Sequence, residues 1–205
     1  MIRAGIRNII FDLGGVLVDF QPDRCMEALG FSEEARKIFR KKIFADLWLR
    51  CDRIPYNEAE IRALFRQSVP GFEREADRMW DEKLPAITQV MPYTDSWLKS
   101  LKQRGFSLFI LSNYGRCSYE INAAEYGFLQ LTDGQLISYE VQLLKPEKEI
   151  YEALCARFAI RPEESVFLDD RPENVEAAER LGFSGIVFSD YESARQKLEK
   201  LLQGQ

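Results

Sequence analysis

The sequence predicts an α/β fold: a doubly wound parallel sheet, interrupted after its first strand by a helical insertion. Two observations predict it. Short apolar runs at 8–11, 106–111, 166–168 and 185–188 read as buried strands, and helical patterns fall between the last three. Strands of this kind need cover on both faces, which is the setting of a parallel sheet. The third feature is the insertion itself, because from about residue 18 to residue 86 the pattern is helical throughout.

Each element has a local reason. "NIIF" at 8–11 is the first strand, and it stops at Asp12, Gly14 and Gly15. Within the insertion Ser32 can cap a helix whose first turn holds Glu33 and Glu34. Ala35, Ile38, Phe39, Ile43, Phe44, Leu47 and Trp48 then form its apolar face. Asn57 and Glu60 have capping-box spacing, ahead of Ile61, Leu64 and Phe65. Phe72, Ala76, Met79, Trp80 and Lys83 repeat at helical spacing, which brings the insertion to about four helices. Pro92 opens the next helix and Gly105 closes it. Further helices are expected near 117–126, 147–159, 173–181 and 191–203, with Pro146 and Pro172 at two of the starts.

Bulk properties remove several classes of function. The chain has 205 residues, 46% of them apolar, and a net charge of −5. Its pI of about 5.1 gives no basic field for nucleic acid or an anionic membrane. No apolar run approaches the ~20 residues needed to span a bilayer, and the N-terminal stretch does not resemble a secretion signal, so a cytoplasmic location is expected. The four cysteines, Cys25, Cys51, Cys117 and Cys155, are widely spaced, which points to reduced structural thiols. The chain contains no histidine, which excludes Ser-His-Asp and Cys-His catalysis and histidine metal sites.

In open α/β sheets, ligands sit beyond the carboxyl ends of the strands. Asp12 follows the first strand, Ser112 and Asn113 the second, and Asp169 and Asp170 the third, while Lys145 precedes a helix. Each alone has a bland explanation as a cap, a turn or a solvated charge. Together they converge on one edge. Clustered acids repel one another unless a proton or a cation joins them, and an oxygen-only set suits a hard cation such as Mg²⁺.

Four ordered stretches carry a family resemblance: "FDLGGVLVD", "LSN", "LKPEKEIY" and "FLDDRPENVEAAERLG". With them the chain resembles the haloacid dehalogenase-like hydrolase superfamily, mostly phosphatases, over nearly its whole length. The resemblance implies a Rossmann-like core of residues 1–17 and 87–205 and a small four-helix cap at 18–86. It implies that Asp12 is the nucleophile, forming an aspartyl-phosphate that water then hydrolyses. Backbone groups of Leu13 and Gly14 would meet the phosphate, and the Gly14 carbonyl would be a Mg²⁺ ligand. Asp12 and Asp170 would bind Mg²⁺ directly and Asp169 through water, with Asn174 behind them. Ser112 and Asn113 would hydrogen-bond the phosphoryl group, and Lys145 would offset the charge of Asp12 and phosphate.

Most phosphatases of this superfamily carry a second aspartate where this chain has Gly14. That acid protonates the leaving alcohol and then activates water, typically worth ~10²–10⁴-fold. Three alternatives stay open without it. The first is a specialised phosphatase using water, a cap residue or a good leaving group, as in the similar α-D-glucose-1-phosphate phosphatases, which also carry "FDLG". The second is a 2-haloacid dehalogenase, and the third is a phosphatase-like fold kept for binding or regulation. The expected substrate is a small phosphorylated metabolite, and the expected assembly is a monomer or weak dimer. The cap stretch "LWLRCDRIPYN" at 47–57 is the expected contact region. Trp48 would stack on a sugar face, or else pack in the helical bundle, while Asp52 and Arg53 would bind hydroxyls. Arg116 and Arg171 need no role beyond surface charge.

Overall fold

The structure, a computed structural model, describes residues 5–83 and 87–203. The expected end of the insertion at residue 86 therefore lies outside the described residues. Five parallel strands form the sheet: β1 (Asn8–Phe11), β4 (Ser107–Ser112), β5 (Gly134–Ile137), β6 (Ser165–Asp169) and β7 (Ser184–Val187), in the order β5-β4-β1-β6-β7. Between β1 and β4 run β2 (Val18–Phe20) and β3 (Thr88–Val90), which pair with each other.

The apolar strands are explained by two-sided burial. Ile9 and Phe11 point with Leu108, Ile110, Val166 and Leu168 into one apolar cluster. There they meet Trp97, Leu98 and Leu101 of α6 (Thr94–Gln103) and Ala194 and Leu198 of α11 (Tyr191–Gln203). Ile10, Phe109, Leu111 and Phe167 point the other way. They meet Ile150, Tyr151 and Leu154 of α9 (Lys148–Phe158) and Ala177 and Ala178 of α10 (Pro172–Arg180). The period-2 alternation of the strands thus builds a doubly wound α/β layer structure.

The helical residues 22–83 pack around a separate apolar cluster that includes Met26, Phe39, Ile43, Leu47, Phe65, Met79 and Trp80. The helix from 33 to 51 is continuous: α2 (Glu33–Phe39) passes through wider π-type turns into α3 (Trp48–Cys51). Ser32 caps it, accepting from the Ala35 N–H at 3.1 Å. The Asn57–Glu60 capping box opens α4 (Glu58–Ser68), with both reciprocal bonds formed. Among the described residues no helix is long and apolar enough to cross a membrane.

One expectation needs correction, and one element was not foreseen. Residues 18–20 are not helical, because the chain entering the insertion lies beside the chain leaving it. Val18 pairs with Val90 and Phe20 with Thr88, antiparallel, so the backbone groups are satisfied across the ribbon. The unforeseen element is the edge strand β5, which the sequence does not announce.

The turn after β1 shows what the two glycines do. The Leu13 carbonyl accepts from the N–H groups of Leu17 and Val18, both at 2.9 Å, and Gly15 N–H donates to Val18 O at 2.9 Å. Gly15 sits at φ +71°, where a Cβ would lie 2.7 Å from Asp170 Oδ2. At Gly14 no positive φ occurs, and a Cβ would meet nothing within 4 Å. Only Gly15 is demanded by the backbone. Gly15→Ala is accordingly expected to cost about 1–2 kcal/mol in urea unfolding, whereas Gly14→Ala should stay within about 0.5 kcal/mol. Equal costs would remove this distinction.

Candidate active site

The sheet register sets the site. Phe11 is level with Leu168 of β6, so Asp12 and Asp169 follow side by side at the ends of neighbouring strands. Asp12 N–H continues the ladder to Leu168 O at 2.9 Å. Ser112 ends β4, the neighbour of β1 on the other side, and its buried hydroxyl favours the ionised form of Asp12. Lys145 arrives from the segment that follows β5 and the short helix α8 (Ser138–Val141).

Lys145 is buried and bridges the two acids. Its Nζ lies 2.9 Å from Asp12 Oδ1 and 2.6 Å from Asp169 Oδ2. Asn113 fixes its backbone from both sides: Lys145 N–H donates to Asn113 Oδ1 at 2.9 Å, and Asn113 Nδ2 donates to Lys145 O at 3.0 Å. The Asn113 amide, expected to meet a phosphoryl group, also holds the Lys145 backbone. Leu13 N–H, also expected to meet phosphate, donates to Asp12 Oδ1 at 2.7 Å.

Asp169 is fully buried and accepts from three donors. Besides Lys145 it accepts from Arg171 N–H and from Asn174 Nδ2, both at 2.9 Å. Asn174 is itself held by Tyr151, whose hydroxyl donates to Asn174 O at 2.8 Å. Asp170 differs: it is exposed and lies against Gly15.

The charges explain the protonation preferences. Burial pushes the Asp12 carboxyl up, and the Lys145 ammonium works against that rise. Burial disfavours the Lys145 charge, yet Asp12 and Asp169 more than offset it and hold the amine above the usual lysine range. Asp170 is raised by burial and then by the charge of Asp169. One oxygen each of Asp12, Asp169 and Asp170 lies within 4.8 Å of the others. One ammonium, in contact with Asp12 and Asp169, therefore stands against three carboxylates, all of them oxygen donors. That donor set and that excess of negative charge fit a hard divalent cation.

The insertion reaches this edge through α3 and the residues after it. Trp48 is half-buried among rings, with centroids 5.4 Å from Phe20, 5.5 Å from Phe44 and 6.5 Å from Phe65. It packs in the bundle. Arg53, expected to bind hydroxyls, donates instead to Gln142 O at 2.9 Å and pairs with Glu147, two residues after Lys145. Asp52 is buried, and its carbonyl accepts from the Ser138 hydroxyl. Arg116 and Arg171 pair with Glu120 and Glu173 at the surface. Ser138 and Glu147 are parts of this junction that carried no sequence signal, because their partners lie far away in the chain.

A family model described as haloacid dehalogenase-like hydrolase matches residues 6–182. The chain is 25% identical to D-ribitol-5-phosphate phosphatase of Bacteroides thetaiotaomicron, over 96% of this chain and 98% of that one. It is 28% identical to an (S)-2-haloacid dehalogenase of Pseudomonas putida, over 87% of this chain and 82% of that one. A HAD family enzyme of Bacteroides thetaiotaomicron, solved as a magnesium complex, superposes with a TM-score of 0.72 at 25% identity, covering 94% of this chain and 100% of that one. The family match runs from the start of the sheet through Lys145 and the Asp169–Asp170 pair, and the chain belongs to the haloacid dehalogenase-like hydrolases.

Proposed function

We propose that the protein is a Mg²⁺-dependent phosphatase acting on a small phosphomonoester, of the sugar-phosphate class, through an aspartyl-phosphate on Asp12. The observation that supports it most is the placement of Asp12: at the head of the central strand, beside a buried ammonium, within a cluster of three carboxylates. A dianionic phosphate needs positive charge at such an edge. Asp12, Asp170 and the Gly14 carbonyl would hold the cation, with Asp169 behind them; when bound, it neutralises phosphate charge and orients the transferring group.

The chain's own residues would do the rest. An oxygen of Asp12 attacks phosphorus while the P–O bond to the alcohol breaks, and water later attacks the aspartyl-phosphate. Lys145 keeps Asp12 ionised and pairs with charge on the phosphoryl group. Ser112 orients Asp12 and then the phosphoryl oxygens. Asp169, held by three donors, keeps Lys145 in place. Residues 18–86 would act as the cap over the 1–17 and 87–205 core, with Arg53 as a latch and Trp48 as packing. Phosphatases and haloacid dehalogenases both stand among the relatives, and the three-carboxylate set, which suits a divalent cation, favours phosphate over halide.

Hydrolysis of p-nitrophenyl phosphate should require Mg²⁺, vanish in chelator, and fall at least ~10³-fold in Asp12→Asn. Metal-independent halide release from a 2-haloacid, without phosphate release, would overturn the proposal.

A second outcome concerns stability alone. Asp170 is the exposed member of the three acids, so its part in holding a cation is separable from the buried pair. The wild type should gain about 2.7 kcal/mol at Mg²⁺ ~100-fold above its dissociation constant, and Asp170→Asn should lose that gain. A Mg²⁺ response surviving in Asp170→Asn would exclude Asp170 as a ligand.

A further inference from the structure

The position two residues after Asp12 has no side chain, although the turn has room for one. The acid and base work of a phosphomonoester hydrolysis must then come from elsewhere. There is no histidine in the chain. Lys145 is held charged between two acids, and Asp169 is fully buried and held by three donors.

One further carboxyl points to this task. Cys51, Asp52 and Arg53 end the long helix of the insertion, and each is fastened to the sheet-bearing part of the chain. Gly115, just beyond β4, comes so close that a Cβ on it would lie 3.0 Å from Cys51 Cβ. Ser138, just beyond β5, donates to the Asp52 carbonyl. Arg53 binds Gln142 O and Glu147. These anchors hold Asp52 at the carboxyl edge of the sheet, where Asp12, Lys145 and Arg171 act on its charge. The residue is only 7% exposed. Its Oδ1 is buried and has no hydrogen-bond partner among the described residues. Such an oxygen costs about 1–3 kcal/mol unless a partner arrives, and a substrate oxygen or a water is a partner of the right kind.

We propose that Asp52, carried by the helical insertion, is the general acid and base of the reaction, supplying what the side-chain-free Gly14 does not. The proposal rests on the phosphatase reading of Asp12. In the first step Asp12 bonds to phosphorus, the P–O bond to the alcohol breaks, and the Asp52 proton passes to the departing oxygen. In the second, water bonds to phosphorus and gives its proton to the Asp52 carboxylate. The P–O bond to Asp12 breaks, phosphate leaves, and both residues return to their starting forms.

The protonation state agrees with this order of events. Burial first, and then the charge of Asp12, push the Asp52 carboxyl up to about 7, against the pull of Lys145 and Arg171. The acid form is therefore populated near neutral pH, and turnover that depends on it falls as pH rises. Arg53, next in the chain, is turned to Glu147.

The test uses Asp52→Asn, which keeps the shape and removes the proton, in the full-length protein with Mg²⁺. First-turnover alcohol release is measured for p-nitrophenyl phosphate and for a simple alkyl phosphate. A nitrophenolate departs without a proton and an alkoxide does not, so the alkyl-to-aryl rate ratio should fall ~10²-fold or more. The alkaline limb of the wild-type alkyl profile should disappear in the variant. Adding Gly14→Asp to Asp52→Asn should recover alkyl turnover, since that side chain has open space. Equal losses on both substrates, as loosened packing would give, would overturn the proposal, and so would no loss on either. A wild type inactive on both substrates would instead sink the phosphatase reading itself, and the variant is not needed to see that.

Discussion

Two carboxylates end on adjacent strands because the β1–β6 register brings them level, and both are buried. Left alone, burial and mutual repulsion would force a proton onto one of them. The Lys145 ammonium, at 2.9 and 2.6 Å, opposes this. A buried charge cluster of this kind is not by itself a source of stability, because desolvating three charges offsets much of their attraction. Its value is a fixed field at the sheet edge, set before any substrate binds. Much of the neighbouring structure serves that ammonium. Asn113 clamps its backbone, Arg171 and Asn174 complete the shell of Asp169, and Tyr151 holds Asn174.

The same reasoning separates the acids by task. Asp169 is held by three donors and cannot move without breaking them. Asp170 is exposed and leans on the one glycine that the turn requires. Asp12 lies between these extremes, buried yet facing the edge. Three aspartates of one residue type are thus distinguished entirely by what surrounds them.

Much of this was legible in the sequence. β1, β4, β6 and β7 stand out as apolar runs, and the acids, Ser112 and Lys145 follow strands or precede a helix, as sites on such sheets do. The capping pairs at Ser32 and at Asn57–Glu60 are local and formed as written. What was not legible is tertiary. β2 and β3 have three residues each, too few to show a period, and they exist only because they meet. β5 begins with Gly134 and Gln135, and only Leu136 and Ile137 are buried. Arg53 reads as an exposed cation until its partner is seen, 94 positions away at Glu147. Trp48 suits a sugar face or a core equally well by residue type, and its contacts with Phe20 and Phe44 are seen only in the fold.

The short β2–β3 ribbon has a consequence for how the chain finds its fold. Asn8 of β1 bonds Ser165 of β6 across 157 positions, and the whole helical insertion lies between the first strand and its other neighbour. Closing so long a loop costs entropy that grows with the logarithm of its length. The ribbon brings Val18 and Val90 side by side, so the sheet meets the insertion as a short connection. Helices 22–83 form from near neighbours around their own apolar cluster, and local contacts of this kind form fast. The insertion can thus order itself early and shorten the search that β1 must make for β4 and β6.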